Sequence, residues 1–169
     1  MDSAILLDSY GRKLVDELQA NARLSVAELS RRIGLSATAV TERLKQMEES
    51  GIIESYAAQI DREALGLEVM AFIRMSCAGQ SYHRLIDYLQ SLEEVRECHH
   101  LTGGDDLLLK VTTHDMAHLE ALIEALLPYG TPTTSLVLSS PVPHRPYAAS
   151  GKLATVAPKT RQLRRFQRG

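Results

Sequence analysis

The sequence predicts an α+β chain, helical over its first third and then ordered strand, helix, strand, strand, helix, strand. Three observations lead there. Two short amphipathic stretches between Ser25 and Ser50 each open on a capping serine, with a break of about three residues around Gly34 between them. From Val69 to Cys77 apolar residues recur at every second position instead. Two more helical periods, Leu85 to Leu92 and Met116 to Leu126, are each followed by a strand-like run.

Composition bounds what such a chain can be. Its 169 residues hold one ordinary domain or two small ones, and 44% hydrophobic content suffices for packed cores. With 5% aromatics and no Trp, those cores must rest on Leu, Ile, Val, Ala and Met. No apolar run approaches the roughly 20 residues of a membrane span, and Met1-Asp2-Ser3 lacks a basic leader, so a cytoplasmic, membrane-free protein is expected. Cys77 and Cys98 form no spaced framework and read as small reduced core residues. The net charge of −2 is unevenly spread: residues 141–169 hold seven basic and no acidic residues, which leaves the first 140 residues at −9. An acidic body does not advertise nucleic-acid binding, so any case for it must be local.

In the first third, Asp8 is placed to cap a helix with Leu14, Val15 and Leu18 on one face, ending near Asn21. Ser25 and Glu28 have the spacing of a reciprocal capping box ahead of a short helix that turns Leu29 and Ile33 inward. Gly34 supplies a left-handed turn, and Ser36 caps a third helix with Val40, Leu44 and Met47 inward. Ile52 to Tyr56 reads as a short strand or wing. A solvated helical hairpin would explain surface charge alone; capped short helix, Gly turn and capped long helix together specify a helix-turn-helix. On it, Ser36, Thr38 and Thr41 are placed to face base edges of double-stranded DNA, with Glu42 on the same outward side; Arg31, Arg32, Arg43 and Lys45 are placed to reach phosphates, and Arg43 alternatively a base edge.

After a connector at 61–66, Val69, Ala71, Ile73, Met75 and Cys77 share one strand face, with Met70, Phe72, Arg74 and Ser76 on the other. A helix with Leu85, Ile86, Leu89 and Leu92 inward follows. Strands at 95–100 and 107–112 are joined by Thr102-Gly103-Gly104-Asp105-Asp106. A second helix, capped by Asp115, turns Met116, Leu119, Leu122, Ile123 and Leu126 inward, and the last strand spans 133–138. The order is the split, ferredoxin-like βαββαβ arrangement. Two helices cover one sheet face; the other needs a partner, and a second copy is the economical one. The expected domains are 1–60, 61–140 and a tail, 141–169.

These features together resemble the Lrp/AsnC, or feast/famine, regulators. The resemblance runs collinearly from about residue 5 to 140, through Leu18-Gln19-Ala20-Asn21-Ala22-Arg23, Glu28 to Ser36, Glu48-Glu49-Ser50-Gly51-Ile52-Ile53, Val95 to His99 and Thr102-Gly103. It implies a transcription regulator, dimeric through its βαββαβ domain with assembly to tetramers or octamers, that answers to an amino acid and needs no cofactor. By the same resemblance the effector site takes in Thr102, Gly103, Gly104, Asp105 and Asp106, with Leu136 as an apolar contact. The chain departs from the family at Gly104 and Asp105, and at Gly11 in helix one.

Chemistry from other classes finds little support. Cys98-His99-His100 alternate across a strand and cannot easily converge on one metal; His114 and His118 lack a following Glu; His83 stands alone. No nucleophile-base arrangement is recognisable. The rival class is a sirohaem decarboxylase-like enzyme on the same architecture, whose His-rich signature is not matched where His99-His100 runs into Leu101-Thr102. A hetero-oligomerising partner with weak DNA binding is the third reading. In the tail, Pro141, Pro143 and Pro146 exclude regular structure, Ala148 to Gly151 is linker-like, and Lys159 to Arg168 gathers five basic residues around Phe166. Three roles stay open for it: solubilising appendage, DNA arm, or brake folded on the acidic body.

Overall fold

The computed structural model describes residues 6–77, 79–104, 106–142 and 145–152. The chain forms two compact units, residues 1–58 with 144–169, and residues 59–143.

The first unit is three helices: α1 (Ser9–Ala20), α2 (Val26–Ile33) and α3 (Ala37–Glu49). Each begins where a side chain takes over an orphan amide. Asp8 accepts from Gly11, Ser25 from Glu28 and Ser36 from Ala39. Gly34 ends α2 at φ 81°, a left-handed position that any Cβ would disfavour. The core is Leu6, Leu14, Leu29, Ile33, Val40 and Met47, with Leu44, Ile52 and Ile53 packed against it. Two expectations are corrected here. The reciprocal half of the capping box does not form, because the Glu28 carboxylate is drawn instead to Arg31 and Arg32. For residues 52–56, read as a short strand or wing, only the strand is corrected: Ile52 and Ile53 bend, the Ile53 amide donates back to the Met47 carbonyl at 3.1 Å, and no ladder forms with a described strand.

The second unit runs β1 (Val69–Ser76), α4 (Gly79–Ser91), β2 (Val95–His100), β3 (Leu107–Thr113), α5 (Met116–Leu126) and β4 (Thr131–Leu136). The sheet is antiparallel throughout, in the order β2-β3-β1-β4. Alternation sorts its faces. Ala71, Ile73 and Met75 from β1 and Leu107, Leu109 and Val111 from β3 meet Leu85 and Leu89 of α4 and Leu119, Leu122 and Leu126 of α5. The opposite face carries Met70, Phe72 and Leu108, half-buried and apolar, ringed by Arg74, Lys110, Glu97 and Thr133.

Two boundaries move. Met116 opens α5 and is 56% exposed rather than inward; the buried stripe starts one turn later at Leu119. The last strand begins at Thr131, two residues early, with Pro132 opposite Met75. Pro cannot donate to a ladder, but β4 is an edge strand, where the missing donor costs little.

Candidate DNA-reading helix and effector loop

The first turns of α3 present small hydroxyls to solvent. Ser36, Thr38, Thr41, Glu42 and Lys45 are all exposed. The Ser36 hydroxyl is partly committed as the cap, accepting the Ala39 amide at 3.2 Å, and the Thr41 hydroxyl donates to the Ala37 carbonyl at 3.0 Å. Glu42 accepts from the Gln46 amide group at 2.8 Å. Thr38 carries no such tie, and Lys45 stands 3.8 Å from Glu49, a loose exposed pair that releases its ammonium easily.

The arginines behave differently from their sequence reading. Helical phase puts Arg43 on the exposed side of α3 as a DNA contact. Its guanidinium instead grips Asp8 with two bonds of 3.0 and 2.7 Å, and its side chain is only 25% exposed. Asp8 is thus both the cap of α1 and the anchor of α3. The Gly11 amide and then Arg43 hold its carboxyl below the usual carboxylate range. The pairing joins residues 35 apart in sequence, so no local signal reveals it. Arg31 and Arg32 converge on Glu28, and hydrogen bonds from these two arginines pull the Glu28 pKa down to about 2. Arg32 also reaches Glu17 on α1 at 2.7 Å. Arg31, 74% exposed, remains the more accessible of the pair.

The candidate effector loop is the β2–β3 hairpin. The Leu101 amide donates to the Asp106 carbonyl at 3.0 Å and closes it. Gly103 has φ 123°, a conformation L side chains rarely adopt, and Thr102, Gly103 and Gly104 are exposed with open space around the glycines. Asp105 lies outside the described residues. One oxygen of the Asp106 carboxylate is engaged within the chain: it accepts the Cys77 amide at 2.7 Å, while the Asp106 amide donates to the Met75 carbonyl at 2.9 Å. Burial, and then this carboxylate, push the Cys77 thiol up. Leu136 is 46% exposed but pairs with Ala71, whereas the hairpin adjoins Met75 to Cys77. About five residues of strand, roughly 15 Å, separate them. Within one copy the loop and Leu136 do not meet.

An open cleft of about 330 Å³ lies elsewhere, between α4 and β2, lined by Ile86, Leu89, Leu92, Val95, Arg96 and Cys98 among others. No loop residue borders it. Three histidines are engaged locally: His118 with Glu94 at 2.8 Å, His114 with the Gly66 carbonyl at 2.9 Å, and His100 stacked on Tyr82. No group of three or more metal-type ligands occurs among the described residues, and no helix there is long and apolar enough to cross a membrane.

Residues 7–54 match the winged helix-turn-helix DNA-binding family, and residues 70–147 match the Lrp/AsnC ligand binding domain. The chain is 32% identical over 133 residues to the HTH-type transcriptional regulator LrpC of Bacillus subtilis, covering 79% of this chain and 92% of that protein. It is 36% identical over 125 residues to the leucine-responsive regulatory protein of Escherichia coli, covering 72% and 76%. Among solved structures, a transcriptional regulator of Neisseria meningitidis in complex with L-methionine superposes with a TM-score of 0.75 at 33% identity, covering 81% of this chain and 92% of that one.

Proposed function

We propose that this chain, which belongs to the Lrp/AsnC family of DNA-binding transcription regulators, reads its operator with the first turns of α3 and tunes that reading through an amino acid held at the β2–β3 hairpin. The observation that carries the first half is the capped α3 whose Thr38, Thr41 and Lys45 stay exposed, while Arg43 and Arg32 are held in latches between the unit's helices. Thr38 and Thr41 then face base edges, and Lys45 and Arg31 meet phosphates. Ser36 and Glu42 flank that surface.

For the second half, Thr102, Gly103 and Gly104 offer exposed backbone that can cradle a carboxylate. Asp106 shapes the loop through one carboxylate oxygen, and Asp105 or the other Asp106 oxygen pairs with an ammonium. Leu136 enters the same site only from another copy, so the site is assembled between protomers. The apolar centre Met70, Phe72 and Leu108 supports pairing of two sheets face to face as the basic dimer. Support for an amino-acid effector comes from the leucine-responsive relative and the L-methionine complex. The work of such a protein lies inside a cell, on DNA.

The deciding experiment is binding of the intact chain to the DNA upstream of its own coding sequence, with and without each amino acid at millimolar concentration. A shift in affinity or assembly with one or a few amino acids is expected, and Gly103→Trp should abolish that response while the fold persists. Binding unaltered by all of them would refute the effector half. A tetrapyrrole absorbance or turnover by the purified protein would favour the enzyme reading instead.

A further inference from the structure

The segment read as a linker is a clasp. Residues 147–149 lie along α1, and three side chains spaced i, i+4, i+7 on that helix hold their backbone. The Gln19 amide group donates to the Tyr147 carbonyl at 2.8 Å and accepts from the Tyr147 amide at 2.9 Å. Asp16 accepts from the Ala149 amide at 3.2 Å, and Arg12 donates to the Ala149 carbonyl at 2.8 Å. All four bonds go to main chain, and Tyr147 is 84% exposed, so the clasp fixes the position of the chain without burying its side chains.

This gives the DNA-binding unit a second attachment. The chain leaves that unit after residue 58 and returns to it at residue 144. On the way out, the Tyr56 hydroxyl still donates to Glu48 of α3 at 2.8 Å, and residues 57–61 are exposed and free of helix or strand. On the way back, the Val137 amide donates to the Met70 carbonyl at 2.9 Å, so the sheet holds the chain up to that point. Nine residues, 138–146, join it to the clasp and span at most about 36 Å. Pro141 and Pro146 fix φ at two of them and reduce the slack. A lone connector without regular structure lets the bodies it joins swivel about it. A second connector anchored at both ends closes a ring, and only those rotations that its length permits survive. The anchor is also coupled to the reading helix. Asp8, which caps α1, grips Arg43 of α3, and Glu17 of α1 takes Arg32 of α2. A restraint on α1 is therefore a restraint on α3.

We infer that the clasp at 147–149 is a second tether that limits the directions in which α3 is presented, and so sets how strictly a paired assembly measures the separation of two DNA half-sites. This rests on the DNA-binding and pairing readings above and adds to them a determinant of spacing.

The test uses four proteins: the intact chain, a truncation after Lys152 that keeps the clasp, a truncation after Val142 that removes it, and Asp16→Ala/Gln19→Ala. Both replaced residues are exposed on a helix, where Ala is a strong helix former, and circular dichroism checks that the fold persists. Hydrogen exchange at the Tyr147 and Ala149 amides should be at least about tenfold slower in the intact chain and the Lys152 truncation than in the double variant. Equal rates would overturn the clasp. Half-sites and their separation are then selected by the intact chain from a randomised duplex library, and affinity is compared with a duplex lengthened between them by about five base pairs, half a helical turn. The insertion should cost the intact chain and the Lys152 truncation at least about 30-fold, and the Val142 truncation and the double variant no more than about fivefold, since a looser tether tolerates the displaced half-site. Equal losses in all four proteins would overturn the tether, as would an intact chain indifferent to the insertion. A Lys152 truncation that behaves like the Val142 truncation would move the effect off the clasp and overturn it too. Recovery of single half-sites alone would overturn the pairing reading and the spacing role with it. Failure to select any duplex would overturn the DNA reading, an outcome kept distinct by the exchange rates, which report docking of 147–149 without DNA.

Discussion

The two units solve the problem of charge and surface in opposite ways. In the helix-turn-helix unit, ionic groups act as internal latches: Asp8 with Arg43 joins α1 to α3, and Glu28 with Arg32 and Glu17 joins α2 to α1. Among the described residues its hydrophobic core has six buried side chains, so these latches matter to its shape. The βαββαβ unit packs eleven buried apolar side chains among its described residues and leaves a second, half-apolar sheet face exposed. One unit spends Arg32 and Arg43 on joining its helices and keeps Lys45 and Arg31 exposed. The other keeps an apolar sheet face exposed, the surface proposed above to pair with a second copy. Function in both is a matter of what the fold leaves unsatisfied.

The sharpest break in this comparison comes from the sheet core. Leu109→Ala removes a fully buried side chain and should cost about 2–5 kcal/mol, read as a lowered denaturant midpoint. If the units melt separately, only one transition should move.

Next in size is the uncovered face. Phe72→Arg places a charge among Met70 and Leu108 and should weaken self-association by at least about 30-fold, some 2 kcal/mol. Sedimentation reads this directly, and circular dichroism should still report a folded chain. An unchanged association state would mean that this face is not the interface.

The third prediction separates latch from contact on α3. Arg43→Ala should destabilise the helix-turn-helix unit by about 1 kcal/mol, since it strips the Asp8 carboxylate of its partner and loosens the cap. Its loss of DNA affinity should track its loss of folding. Lys45→Ala should leave stability within about 0.5 kcal/mol and flatten the salt slope of DNA binding by about one. The reverse pattern would return Arg43 to the DNA surface.

The smallest effect is a pH dependence. The Glu28 carboxyl is depressed to about 2 by Arg31 and Arg32. Its unfolded pKa is near 4.3, so the unfolded state binds the proton more tightly between those values. The contribution to stability is therefore full above about pH 4.5 and fades as pH falls toward 2. Glu28→Gln should remove that part of the acid sensitivity, measured as the change in melting temperature between pH 5 and pH 3.

Much of the fold was legible in the sequence because its signals are local. Asp8, Ser25, Ser36 and Asp115 cap the helices that their positions announced, and the period of two from Val69 to Met75 sorted the strand's faces as the structure does. The miss at Glu28 is instructive. A capping box and an i+3/i+4 ion pair compete for one carboxylate, and two arginines on the exposed helix face prevail over one backbone amide. The site was less legible. Thr38, Thr41 and Lys45 could be placed by helical phase alone, whereas Arg43 depended on a residue far away in sequence, and Asp106 on the end of a neighbouring strand.

By itself, then, the sequence determined the element order, the helix caps, the inward stripes and the family, because each depends on residues within a turn or two or on a collinear pattern. Only the tertiary structure decided which charges remain available. It folded Arg43 onto Asp8, turned the Asp106 carboxylate to the Cys77 amide, set Leu136 away from the hairpin, and laid 147–149 along α1. A side chain's periodicity says which way it points. What it meets there depends on segments that the backbone brings back from tens of residues away.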